Sequence, residues 1–213
     1  MVRSLTCAPA EVPRADLLLT ESTFGRPDIS FPPVEGLRRR IVDVAREVLA
    51  AGGVPVFLGY AFGKGPEVVK ILLDAGVPVS VHESIARLLR VYRRAGYAFG
   101  KPRDFSTRRR PPPGHALVAP PSARWHPALV RLDRSRFVAI TGRAILDPSR
   151  LPFRADEAVP LSDHADFDGL LRVAELTGAG TVLTTHGFAE ELAAALRESG
   201  TDARPLAGAG PHP

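Results

Sequence analysis

The chain has 213 residues and a formal net charge of +5, from 28 Lys and Arg against 23 Asp and Glu. It contains no apolar run of the roughly 20 residues that a membrane helix requires, and its start lacks the order of a signal peptide. The only cysteine, Cys7, excludes an intrachain disulfide. We therefore expect a cytoplasmic protein without membrane association, in which Cys7 is a small buried side chain.

The N-terminal part predicts one strand and one helix. Residues 16–20 form a short apolar strand that ends at Glu21, and residues 25–33 are rich in turn formers. Residues 36–51 have apolar side chains at helical spacing, and the Gly52-Gly53 pair ends the helix.

The next segment predicts a buried strand, a tight turn and a helix. The strand covers residues 54–60, and the turn reads Ala-Phe-Gly-Lys-Gly-Pro over residues 61–66. Free N–H groups at such a helix start can bind phosphate, which makes Lys64 a candidate nucleic-acid contact. The spacing of a Walker A loop is absent. Tight strand–helix packing is the structural alternative.

The middle of the chain continues the alternation of strands and helices. Strands are predicted at residues 77–81, 115–119 and 137–141, with a basic helix at residues 85–95. Residues 99–114 and 151–158 are predicted as loops, and the first of these carries Arg108, Arg109 and Arg110 before three prolines. The alternation predicts an α/β fold with a Rossmann-like parallel sheet.

Charge is concentrated in this middle part. Residues 84–154 hold 16 basic and 3 acidic residues, a balance of +13, whereas the rest of the chain has a balance of −8. A local excess of this kind favours a polyanion such as nucleic acid as the partner. Coding bias is the alternative, because arginine supplies nearly all of the positive charge.

The C-terminal part has two histidines at predicted junctions between strands and helices. His164 precedes a helix that Gly178 ends, and His186 follows a β-branched strand over residues 181–185. Ligands in α/β sheets bind at the carboxyl ends of strands, so both histidines are candidate site residues. The structural alternatives are a helix cap at Ser162 or Asp163 and an ordinary histidine at a strand end.

Three motifs in order resemble those of the β-CASP branch of metallo-β-lactamase-fold nucleases. They are Leu-Thr-Glu-Ser-Thr-Phe-Gly over residues 19–25, Ser-Asp-His-Ala-Asp over residues 162–166, and Thr-Thr-His-Gly over residues 184–187. The nearest subgroup by resemblance is the bacterial DNA-ligase-associated exonucleases, also known as mRNA 3′-end processing factor-like proteins. The Gly-Lys turn at Lys64 and the turn at Arg143 also have counterparts in that family.

The resemblance implies a division of the chain and a set of roles. Residues 1–35 and 151–213 would belong to a partial metallo-β-lactamase fold, and residues 36–150 would be an inserted β-CASP domain. His164, Asp163 and Glu21 would be catalytic, with Glu21 orienting His164, and His186 would bind one of two zinc ions. Zinc would activate water for phosphodiester hydrolysis of nucleic acid. Lys64, Arg143 and the arginines at 108–110 would contact the nucleic acid.

The His-x-His-x-Asp-His run of that family is absent. By the resemblance the chain begins just after the family's bridging aspartate, so we expect either a longer natural product or a half-enzyme. The chain alone should bind zinc weakly and cut DNA slowly or not at all. An exposed sheet would pair with a second copy or a partner chain.

Three functional classes remain open from the sequence. The first is a DNA exonuclease, with DNA favoured over RNA and a DNA ligase or helicase as partner. The second is a non-catalytic nucleic-acid-binding module built on the basic middle domain. The third is a small-molecule α/β protein that uses the turn at residues 63–66, although a Gly-x-Gly-x-x-Gly pattern is absent there.

Overall fold

The computed structural model describes residues 4–105, 111–151 and 153–206. In this part the chain is α/β, and every strand pair in its two sheets is parallel. The elements in chain order are β1 (Leu17–Glu21), α1 (Val34–Ala50), β2 (Val54–Leu58), α2 (Lys64–Asp74), β3 (Val79–His82), α3 (Glu83–Arg94), β4 (Arg103–Phe105), β5 (Ala116–Ala119), α4 (Pro127–Val130), β6 (Ser135–Ile140), β7 (Glu157–Val159), α5 (Phe167–Thr177), β8 (Thr181–Thr185), α6 (Ala189–Glu198) and β9 (Asp202–Pro205). No helix in the described ranges is long and apolar enough to cross a membrane.

The chain forms two compact units. The larger unit contains Ser4–Cys7 and Pro32–Asp163, and the smaller one contains Ala8–Phe31 and the chain from residue 164 onward. The sequence placed the divisions at 35/36 and 150/151, whereas the units change at 31/32 and 163/164. The identities proposed for these domains stay predictions.

The larger unit is built on a six-stranded sheet with the order β4-β3-β5-β2-β6-β7. Its central strand β2 is buried on both faces: Phe57 packs into one apolar cluster, and Val56 and Leu58 pack into another. Parallel sheets bury both faces in this way, which explains the continuous apolar strands in the sequence. Helices α1, α2 and α3 contribute side chains such as Ile41, Leu72 and Ile85 to the first cluster. Within each helix the apolar residues are spaced so that they lie on one face.

The smaller unit has a three-stranded sheet with the order β1-β8-β9. One face of the sheet packs against α5 and α6 through an apolar cluster that includes Val182, Leu192 and Ala203. Leu17 and Leu19 alternate with the residues of that face and are each 55% exposed. The end of α5 at a left-handed Gly178 confirms the predicted stop.

Some expectations from the sequence were wrong. The segments predicted as loops contain the short strand β4 and the first two residues of β7, and β9 follows α6 where no strand was predicted. Each has only three or four residues and little apolar alternation, so its pairing depends on the neighbouring strand. Cys7 is exposed rather than buried. Arg108, Arg109 and Arg110 lie outside the described residues.

Candidate functional site

The candidate site of the smaller unit lies at the carboxyl ends of β1 and β8. These strands are parallel neighbours, and their register pairs Glu21 with Thr185. Glu21 is therefore the last residue of one strand, and His186 is the first residue after the other. The two side chains predicted from separate motifs, 165 positions apart in the chain, share one edge of the sheet.

Glu21 lies in contact with His164. The Nδ1 atom of His164 is 3.2 Å from Oε1 of Glu21, and the Thr23 N–H donates to Oε2 at 2.7 Å. Partial burial alone would raise the pKa of Glu21, but the contacts from His164 and Thr23 outweigh it and hold that pKa below its ordinary value. The carboxylate form of Glu21 is favoured, and it fixes the tautomer and orientation of the imidazole.

Aromatic packing and a helix cap hold the segment that carries His164. The His164 ring lies edge-on to the buried Phe24, with 5.9 Å between ring centroids. The cap of α5 is Asp166: its Oδ1 accepts the Gly169 N–H, and its Oδ2 accepts the Phe31 N–H at 3.1 Å. The alternative of a cap at residue 162 or 163 is therefore wrong.

His186 has a left-handed backbone with φ of 63°, which is uncommon for a residue with a side chain. The buried Ser22 hydroxyl lies 2.6 Å from the His186 carbonyl oxygen and 2.8 Å from that of Thr185. Gly187 follows, and a Cβ there would lie 2.5 Å from Cα of Thr23. Ser22 therefore fixes a strained turn, as often occurs where a side chain must be aimed at a ligand.

In the larger unit, Lys64 and Asp163 form an ion pair. Lys64 is 3% exposed, and its Nζ lies 2.6 Å from Oδ1 of Asp163 and 3.2 Å from Oε2 of the buried Glu67. Arg38 also contacts Glu67, at 3.2 Å. A Cβ on Gly63 would lie 2.6 Å from the Asp163 carboxylate, and Gly63 has φ of 74°. The Lys64 ammonium is thus engaged inside the unit, and a phosphate contact would require it to leave these partners.

Arg143 is exposed in the short turn after β6. Its backbone N–H donates to the Thr141 hydroxyl at 3.3 Å, and its side chain faces solvent at the carboxyl edge of the larger sheet. The position leaves the guanidinium accessible to an anionic ligand.

The described residues do not fit a zinc site by themselves. Within the described ranges, no three His, Cys, Asp or Glu side chains come together as a metal-binding set. A catalytic zinc ion takes about three protein ligands. His186 can supply one nitrogen ligand, but the further ligands of such a site would have to come from elsewhere.

Sequence reasoning missed three residues that hold these arrangements. Ser22 follows Glu21 in the first motif, Asp166 closes the second, and Glu67 lies three positions after Lys64. A polar residue at a strand end, a short acidic residue before a helix and an i,i+3 pair of opposite charges were the available signals. None of them reveals from sequence alone that Ser22 or Glu67 is buried.

No family model matches the chain. The chain is 40% identical over 204 residues to a protein of Opitutus terrae (strain DSM 11246 / JCM 15787 / PB90-1) named "Probable DNA ligase". The matched region covers 94% of this chain but 20% of that protein. The chain therefore spans about a fifth of the length of the curated relative.

Proposed function

We propose that this chain takes part in phosphodiester hydrolysis of DNA, as a partial metallo-β-lactamase fold with an inserted β-CASP domain. The observation that carries the proposal is the Glu21–His164 pair at the same sheet edge as the left-handed His186. The name of the Opitutus terrae relative supports a role connected with DNA. The parallel α/β architecture is compatible with this assignment.

The residues of the site have distinct proposed roles. Glu21 accepts the Nδ1 proton of His164, and in this scheme the imidazole holds or transfers a proton at a phosphate oxygen through its Nε2 atom. Ser22 positions the backbone of His186, and Phe24 restricts the His164 ring. Asp163 belongs to the ion pair with Lys64 and has a positioning role in this scheme.

The proposed hydrolysis would require zinc to activate water. The described residues do not provide a complete ligand set, so no step is assigned to the metal. We expect the 213-residue chain alone to bind zinc weakly. Equilibrium dialysis that finds close to two zinc ions per chain would contradict this expectation.

The proposal is tested on the endogenous protein, purified from cells that carry the wild-type, His164→Ala or Glu21→Gln allele. Its intact mass is compared with the 22.8 kDa of this chain, and end-labelled DNA is used to measure cleavage. General acid–base groups contribute about 100- to 10,000-fold, so each variant should lose at least about 100-fold in cleavage rate.

The matched control is His126→Asn, which replaces an exposed histidine of the larger unit and retains a residue suited to its cap position. Cleavage should be unchanged by this substitution. Equal cleavage by wild type and His164→Ala would refute the assigned role. DNA binding without cleavage in all proteins would instead favour the non-catalytic binding module.

A further inference from the structure

The ion pairs of the larger unit divide its basic residues into two groups. On α1, Arg40 contacts Glu47 and Glu157, and Arg38 contacts Glu35 and Glu67, so acidic partners offset much of its charge. Helix α3 differs, because Glu83 is its only acidic residue and four arginines follow. Four arginines against one glutamate leave α3 with a net positive charge.

Three of these arginines lie on one exposed face of α3. Arg87, Arg90 and Arg94 follow the i, i+3, i+7 spacing that aligns side chains along a helix, and all three are exposed. Val91 lies between them and is 56% exposed. The contact between Arg87 and Glu83 is 3.6 Å long and solvent-exposed, so it neutralises little charge. For Arg90 and Arg94 the structure records no ion pair within the described ranges.

We infer that this face of α3 is a docking surface for the phosphate backbone of DNA. The inference rests on the proposed function only for the identity of the ligand; the surface itself is defined by the exposed arginines. From Arg87 to Arg94 the helix rises about 10.5 Å. Over that length one strand of a duplex presents about three phosphates, one for each arginine. An exposed apolar side chain among guanidinium groups also suits contact with the sugars.

A role of Arg94 at the helix end is the structural alternative. Basic residues in the last turn stabilise a helix through its dipole. Such a role changes the free energy of unfolding and leaves the salt dependence of DNA binding unaltered. The two roles therefore give different results in one set of proteins.

The test measures binding of the full chain to a labelled DNA duplex, in EDTA, across a range of salt concentrations. The double variant Arg90→Gln/Arg94→Gln is compared with Arg39→Gln/Arg46→Gln, which removes two exposed arginines from α1. Each lost phosphate contact reduces the magnitude of the log–log salt slope by about 0.9, so the α3 variant should lose about 1.8. When the salt concentration rises four-fold, both proteins should lose affinity for DNA. The fold-loss of the α3 variant should be about twelve times smaller than that of wild type.

The α1 variant should keep the wild-type slope. Equal slope changes in both double variants would overturn the inference, since net charge alone would explain them. An unchanged slope in the α3 variant, with or without a loss of stability, would overturn it as well. Binding through α3 combined with no cleavage by the endogenous wild-type protein would refute the proposed activity and leave this surface assigned. Cleavage by the endogenous protein combined with an unaffected α3 variant would do the reverse.

Discussion

Replacement of Lys64 by methionine should strongly destabilise the larger unit. The change removes a buried ammonium that contacts Glu67 at 3.2 Å and Asp163 at 2.6 Å, and it keeps an unbranched side chain of similar length. Removal of one partner from a buried ion pair costs about 3–5 kcal/mol. Glu67 retains Arg38, and Asp163 is 43% exposed and can be hydrated, so we expect the lower end, about 3 kcal/mol.

Urea unfolding followed by fluorescence measures this loss. Trp125 is the only tryptophan and belongs to the same compact unit as Lys64, so its signal reports on that unit. The matched control is Lys70→Met in the same helix, which removes a surface contact with Asp74 and should cost no more than about 1 kcal/mol. Equal losses in the two variants would refute the reasoning.

The Lys64→Met variant also distinguishes a structural role of Lys64 from a role in binding DNA. A buried ammonium that stays with its carboxylates cannot also neutralise a phosphate. Lys64→Met should therefore keep the wild-type salt slope of DNA binding. A slope reduced by about 0.9 would instead favour the phosphate contact that the sequence predicted for this residue.

Three further predictions concern the smaller unit. Ser22→Ala removes a buried hydroxyl and should cost about 1–3 kcal/mol, with faster amide hydrogen exchange at residues 185–188 because the turn at His186 loses its support. The stability advantage of wild type over Glu21→Gln should be lost as the pH falls from 4.5, the ordinary carboxyl value, through the lowered pKa of Glu21. Wild type should self-associate through the exposed face of β1, and Leu17→Thr/Leu19→Thr should reduce this association, as light scattering can measure.

A control variant or a contradicting result tests each of these three predictions. The control for Ser22→Ala is Thr184→Ala, which removes another buried hydroxyl of the same unit. That hydroxyl donates to the Ala189 carbonyl oxygen. Amide hydrogen exchange at residues 185–188 should be slower in the Thr184 variant than in the Ser22 variant. A wild-type advantage over Glu21→Gln that grows as the pH falls below 4.5 would contradict the direction of the pKa shift. A monodisperse wild-type monomer at high concentration would contradict self-association.

Much of the fold could be predicted because it depends on apolar periodicity. The strand over residues 181–185 was found with its exact ends, and α1, α2, α3 and α5 were found within a few residues, since each has a stripe of apolar side chains. Strands β4, β7 and β9 were missed because a short strand in a parallel sheet is defined by its neighbour. The order of strands was not predicted either, because it depends on pairing between distant segments.

The candidate site shows a similar limit. Motifs placed Glu21, His164 and His186 at strand and helix boundaries, but no pattern in the sequence determines which charged groups become buried. Lys64 illustrates this, because its glycine-rich turn is typical of an exposed phosphate contact, whereas in the structure it is the first residue of α2 and is buried together with Glu67. Burial depends on packing between elements, which local sequence does not encode.

The pairing of β1 with β8 has a consequence for synthesis on the ribosome. Ser22 and its bonding partner His186 are separated by 164 positions in the chain. At roughly 5–20 residues per second, about 8–33 seconds pass between the synthesis of the first strand and that of its partner. During this interval β8, the strand that pairs with the Leu-Leu-Leu segment of β1 in the described sheet, has not yet been made. We expect chaperones to bind the apolar β1 segment of the nascent chain during this interval. Slower codons in the middle of the gene would lengthen the time for which this segment is exposed.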